Sequence, residues 1–95
     1  MEKGRVSHSS LFLVRILRDQ TDIRISAVAP KKVSKTAVGR NKIRRKTYEA
    51  IRTFKKMIVP GLHMIIFAKP TVVKATQNEI VADLKDLFVK SKLLS

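Results

Sequence analysis

Between Pro30 and Pro60 the apolar residues recur at helical spacing, and on both sides of that stretch they recur at strand spacing. A helix buries a stripe and a strand buries a face, so elements of both kinds in one short chain must hide their apolar sides against each other. The helical part is residues 36–58. There Ile43, Ala50, Ile51, Phe54, Met57 and Ile58 follow the i, i+4, i+7, i+8 pattern, with Thr47 filling the gap. Pro30 and the basic loop of residues 31–35 lead into it, and Pro60-Gly61 stops it.

The flanking segments read as strands. Residues 10–17 (SLFLVRIL) are rich in β-branched and aromatic side chains and end at the polar stretch Asp19 to Asp22. Residues 22–29 alternate, with Ile23, Ile25 and Ala27 on one side and Arg24, Ser26 and Val28 on the other. So short a turn between two strands predicts an antiparallel hairpin. Residues 62–68 (LHMIIFA) are nearly continuously apolar, the pattern of a central strand covered on both faces. Thr76 and Glu79 form a capping box that opens a last helix, with Ile80, Leu84, Leu87 and Phe88 as its buried stripe and Lys85, Lys90 and Lys92 in solvent. Residues 1–9 are polar without a period and read as a flexible or loosely paired lead-in. The 95 residues therefore make a single domain of the α/β class, a small mixed sheet with two helices packed on it.

Charge narrows the function. Lys and Arg number 21 against 7 Asp and Glu, leaving +14, an imbalance that favours nucleic acid or an anionic membrane as partner. The longest apolar run, residues 64–68, is far short of the ~20 residues a membrane-spanning helix needs. The N-terminus lacks the apolar stretch of a secretory signal. Strands on both sides of the basic helix and the absence of Trp argue against a helix lying on a membrane surface. Without Cys there are no disulfides, no thiolate chemistry and no Cys-based zinc site, which suits a cytoplasmic protein.

Residues 31–56 hold eleven Lys and Arg and a single acid, Glu49, so the usual i, i+4 pairing of a charged surface helix is mostly lacking. With Ile43 at the centre of the buried face and ~100° per residue, Asn41, Arg45 and Arg52 point to the opposite side. Tyr48 and Lys55 border that stripe, Lys56 lies on its other side, Arg44 is on the flank and Arg40 is at the helix start. Exposed guanidinium forks suit phosphates and base edges. By itself the patch indicates nucleic acid without separating RNA from DNA.

His8 and His63 are considered as an acid–base pair for phosphodiester cleavage. No paired carboxylates, nucleophile elbow or phosphate-binding Gly loop accompanies them, and His63 reads as a hydrogen-bonded, partly buried strand residue. No catalytic side chain and no metal site is assigned. Met57 and Met64 read as core filler, and Phe54, Phe67 and Phe88 as buried. Phe12, on one side with Val14 and Ile16, reads either as core or as a face open to a single strand.

The stretch APKKVSKTAVGRNKIRRKTYE (residues 29–49) resembles the signature of the bacterial ribonuclease P protein family: two lysines after a strand, a short loop, then Arg-Asn-x-x-Lys/Arg-Arg-x-x-Arg-Glu opening a long helix. Arg40, Asn41, Arg44, Arg45 and Glu49 fall on that pattern, and the resemblance extends over nearly the whole chain. Tyr48 stands where the motif more often has Arg, which suggests stacking or a phenolic hydrogen bond, and His63 stands where an acid is common. Family members usually begin with a further basic, Phe-containing helix. This chain starts too late to include it, so either a naturally short member or a truncated one is expected, with weaker leader recognition.

The resemblance implies a left-handed βαβ crossover through the long helix. It implies binding to ribonuclease P RNA through Lys31, Lys32, Lys35, Arg40, Asn41, Lys42, Arg44, Arg45, Tyr48 and Arg52. It also implies joint binding of precursor tRNA, with the 5′ leader in a cleft that includes Phe12, Val14 and Val28. Cleavage would be carried out by the RNA with Mg2+ held mainly by the RNA, without a small-molecule substrate. A structural protein of the ribosome would share this size and charge and is the rival reading.

Overall fold

The computed structural model describes residues 5–18 and 21–94. In chain order it contains β1 (Arg5–His8), β2 (Phe12–Leu17), β3 (Arg24–Val28), α1 (Ala37–Arg52), a 3-10 turn (Lys55–Met57), β4 (His63–Ala68), a second 3-10 turn (Pro70–Lys74) and α2 (Gln77–Lys90). The sheet order is β1-β2-β4-β3, with β2 antiparallel to both β1 and β4 and β3 parallel to β4.

The expected hairpin between residues 10–17 and 22–29 is therefore not formed, because β4 inserts between them. β4 is apolar at five of its six positions, and the central position pairs both of its edges. The β3–α1–β4 connection returns it parallel to β3, as a helical crossover allows and a tight turn does not. The antiparallel hairpin lies earlier, between β1 and β2, so residues 5–8 of the expected lead-in are a paired strand. Residues 1–4 lie outside the described residues. Ser9 makes that turn: its N–H donates to Phe12 O (2.8 Å) and its Oγ accepts from Phe12 N (3.2 Å). Arg5 then donates to Ser91 O (2.7 Å), placing a cation at the C-terminal end of α2, where the helix dipole favours one.

The helix expected over residues 36–58 begins as expected, with Thr36 Oγ1 accepting from Gly39 N (3.0 Å), but α1 ends at Arg52. Thr53 Oγ1 and N–H both turn back to Ala50 O, and Phe54 leaves helical geometry at φ −130°, ψ 20°. That break lets Phe54 meet Phe88 edge-on, with ring centroids 5.2 Å apart, while Met57, expected in the core, is 40% exposed. α2 has the expected capping box, Glu79 N to Thr76 Oγ1 at 3.2 Å and Thr76 N to Glu79 Oε1 at 2.8 Å. Its stripe Ile80, Leu84, Leu87 and Phe88 is buried.

A single core forms between the helices and one side of the sheet. Phe12, Val14 and Ile16 of β2 join Met64 and Ile66 of β4, Ala50 and Ile51 of α1, and the α2 stripe. β4 is central but covered on this side alone, contrary to the expectation of two covered faces: Ile65 on its other side is 39% exposed. Phe12 and Val14, expected in a leader cleft, are 0% exposed beneath the helices and reach no ligand. Removing the Phe12 ring should cost about 3–5 kcal/mol of stability by leaving a cavity. Urea unfolding of Phe12→Ala checks this, and a change below about 1 kcal/mol would mean the ring is not sealed in the core.

Candidate nucleic-acid interface

The basic loop and α1 are built as one unit. Arg40, expected as a phosphate contact, turns its Nη1 onto the loop and donates to Ser34 O (3.0 Å) and Lys35 O (3.1 Å). This ties down the segment carrying the exposed Lys31, Lys32 and Lys35. Gly39 allows the loop to sit this close, since a Cβ there would lie 2.1 Å from Ser34 Oγ. One turn on, Arg44 Nη1 donates to Asn41 Oδ1 (2.9 Å), which fixes both side chains and turns their remaining hydrogens outward. Asn41, Lys42, Arg44, Arg45 and Arg52 are exposed. Among the described residues no α1 cation pairs with a carboxylate; the ion pairs are those of Asp22 with Arg24 and His63.

Tyr48 stands apart from its neighbours. Its hydroxyl accepts from Ala27 N (2.9 Å) on the outer edge of β3, so the phenolic hydrogen bond suggested by the sequence is made to the chain's own backbone. It thereby covers part of an edge strand that would otherwise present open backbone donors. Between this edge and the start of α1 lies a cleft of about 320 Å3, lined by Ala27, Val28 and Ala29 on one side and by Ala37, Arg40, Asn41 and Arg44 on the other.

Val28 belongs both to this cleft and to the uncovered side of the sheet. Strand register puts His8, Leu13, Phe67 and Val28 in one row across all four strands. The next row is Val6, Arg15, Ile65 and Ser26, and the third holds Leu17, His63 and Arg24. Of the three residues expected in the leader cleft, Val28 alone lies here. Phe67, expected to be buried, is half-buried on this face, and with Leu13, Arg15 and Ile65 it makes up an open surface that sequence reasoning did not single out. Arg15 carried the signal: its place in the alternation of β2 marks Leu13, Arg15 and Leu17 as the solvent side.

His8 and His63 share this face but not a site. Two strand spacings and four residues separate their backbones by roughly 16 Å, too far to act on one phosphodiester. His63 Nε2 is 2.8 Å from Asp22 Oδ1, in agreement with the sequence reading of a hydrogen-bonded strand residue. The hydrogen bond from His63 holds the Asp22 carboxyl below its ordinary pKa; desolvation opposes this and the charge of Arg24 adds to it. Among the described residues no three His, Cys, Asp or Glu gather into a metal-binding group, and no helix is long and apolar enough to cross a membrane.

Comparison with known proteins gives the family. The family model described as Ribonuclease P matches residues 1–92. The ribonuclease P protein component of an Exiguobacterium strain is 33% identical over 96% of this chain and 79% of the relative. That of a Pseudanabaena strain is 32% identical over 97% of this chain and 81% of the relative. Among solved structures, the Staphylococcus aureus RNase P protein superposes with a TM-score of 0.84 at 24% identity, covering 98% of this chain and 85% of that one. The Thermotoga maritima RNase P protein gives 0.83 at 20% identity, covering 93% and 84%. Both share the fold.

Two outcomes follow from the geometry. Arg40→Ala should lower stability by roughly 1–2 kcal/mol, because two loop carbonyls lose a charged donor, whereas Arg45→Ala should leave the melting temperature unchanged. Equal effects in thermal melts would mean that Arg40 does not hold the loop. Asp22, its pKa lowered in the folded state, contributes stability above the ordinary aspartate range and loses it as pH falls through its folded value. Asp22→Asn should therefore melt earlier than wild type at neutral pH, with the gap closing below about pH 4; a gap constant with pH would rule out the His63 hydrogen bond as its source.

Proposed function

This chain belongs to the bacterial ribonuclease P protein family, and from that premise we propose that its α1 face binds the catalytic RNA while the open sheet face beside it takes the 5′ leader of precursor tRNA. It is the protein subunit of an endoribonuclease in which RNA performs the phosphodiester hydrolysis, and its partner in that ribonucleoprotein is RNA. Neither the fold nor the comparisons favour a structural ribosomal protein.

The observation that carries the two-surface reading is the row His8, Leu13, Phe67 and Val28, running across an uncovered sheet to the mouth of the Arg44–Asn41 cleft. Single strands bind where aromatic and apolar side chains support bases and nearby cations track the backbone. Phe67 supplies the ring, Leu13, Ile65 and Val28 the apolar floor, and Arg15 and Arg24 the cations. On α1, the outward donors of Asn41, Arg44, Arg45 and Arg52, with Lys31, Lys32, Lys35 and Lys42, suit a folded RNA backbone, whose counterions they would release. Arg40 serves that face by holding the loop, and Tyr48 by fixing β3 against α1.

The chain's part in the reaction is to bind, orient and screen charge. We assign no proton transfer to His8 or His63. Magnesium, in this reading, neutralises phosphate charge during hydrolysis and is held mainly by the RNA. The cytoplasm is the proposed site of action.

Phe67→Ala should weaken holoenzyme binding of precursor tRNA by ~1–3 kcal/mol and leave mature tRNA unaffected. Arg45→Ala should weaken assembly with the catalytic RNA by a similar amount and make its salt dependence shallower. His63→Ala should leave single-turnover cleavage within a few-fold of wild type. Equal loss for both tRNAs in Phe67→Ala would remove the leader from the sheet face.

A further inference from the structure

On the other flank of α1, away from the Arg44–Asn41 cleft, a pocket of about 190 Å3 opens between the helix, the basic loop and the second 3-10 turn. Its floor is apolar: Val33 from the loop, Ile43 from α1, Val72 from the turn and Ile80 from α2. At its rim stand Lys42 and Lys46, one helical turn apart, and Val73. Val73 is 56% exposed, a large apolar side chain left in water. Among the described residues neither lysine pairs with a carboxylate.

The walls are fixed. Thr71 Oγ1 donates to Ser10 O (2.6 Å) and Ala75 N to Val72 O (3.1 Å), which anchors the turn. Gln77 Nε2 donates to Lys46 O (3.1 Å), joining α2 to α1. The loop wall is pressed onto Gly39 and held by Arg40. A cavity of ~150 Å3 admits a benzene ring, so this pocket has room for one flat six-membered ring with cations at its mouth.

We propose that this pocket receives the base of one unstacked pyrimidine nucleotide of the catalytic RNA, with its phosphate on Lys42 and Lys46. This deepens the assignment of the α1 face to that RNA and rests on it. An apolar floor beneath two ammonium groups matches a heteroaromatic ring carrying an anion, and a solvated lysine face would need no floor. The ring enters edge-first past Val73, and the pocket thus adds a point of register to a face whose other contacts are to the backbone.

Methyl-labelled protein titrated with uridine 5′-monophosphate tests the pocket, with ribose 5-phosphate as the ringless control. Methyl signals of Val72, Val73 and Ile80 should shift saturably with the nucleotide and stay put with the control. Val73→Phe, which fills the pocket without changing charge, should abolish those shifts and weaken binding to ribonuclease P RNA roughly tenfold. Lys74→Ala, on the same turn but outside the pocket, should do little. Should Val73→Phe fold poorly in a thermal melt, Lys42→Ala with Lys46→Ala must abolish the same shifts. Shifts confined to Val28 and Ile65, or equal shifts with ribose 5-phosphate, would overturn the ring site. Nucleotide shifts lost in Val73→Phe with RNA affinity unchanged would overturn the RNA as source and leave a free-nucleotide site. If wild type fails to bind the RNA, or Arg45→Ala leaves that affinity intact, the underlying assignment of the α1 face falls, and the RNA source with it.

Discussion

Val14, Ile66 and Ala27 lie in one row of the sheet and face the helices, and the rest of the molecule depends on that side being the sealed one. Each apolar side chain buried there contributes on the order of 1.5–3 kcal/mol. The two helices a chain of this length provides suffice to cover one face of a four-stranded sheet. The other face keeps the intervening residues of the same strands. It is mixed, with Phe67 and Leu13 beside Arg15 and Arg24, because alternate residues of a strand face opposite ways.

The charge distribution follows from the same division. Cations are absent from the core and gather on the loop, the outward side of α1 and the open sheet. Few carboxylates answer them, so the fold carries net self-repulsion that water and salt must screen. Hydrogen bonds do the local work that ion pairs do elsewhere. Arg40 is held by carbonyls, Arg44 by an amide oxygen and Arg5 by the carbonyl of Ser91, the C-cap of α2. Such partners fix a guanidinium without neutralising it, which leaves the charge available to a polyanion.

Local signals in the sequence were the readable ones. Thr76 caps α2 where expected, since capping depends on residues three positions away and on nothing distant. The stripe of α2 and the pairing role of His63 were legible for the same reason. Strand partners were not, because β4 enters between β2 and β3 only after α1 has crossed, and no short-range pattern encodes that. The end of α1 was overrun because Phe54 and Ile58 keep the helical period while Thr53 and Phe54 break the backbone. Phe12 and Val14 were expected to line an open cleft and instead lie under the helices, because period two yields two faces without naming the covered one. In β2 the charge of Arg15 decides it; in β4 only His63 marks the polar side, so Phe67 read as core.

Helix α1 is where these constraints meet. Its inner side, Thr47, Ala50 and Ile51, is fixed by the core, so the direction of every other residue is fixed too. One flank then faces the β3 edge, where Tyr48 grips Ala27 N and Arg44 overlooks Val28. The opposite flank, with Lys42 and Lys46, overlooks the loop and the second 3-10 turn. Arg45 and Arg52 are left between them, exposed and, among the described residues, without a hydrogen bond or ion pair. A helix so placed cannot shift to suit a ligand without unpacking the core, and a rigid cationic surface loses little conformational freedom when it binds. RNA docking on it, as we propose, would meet donors already held in position, which suits a subunit that contributes affinity and orientation.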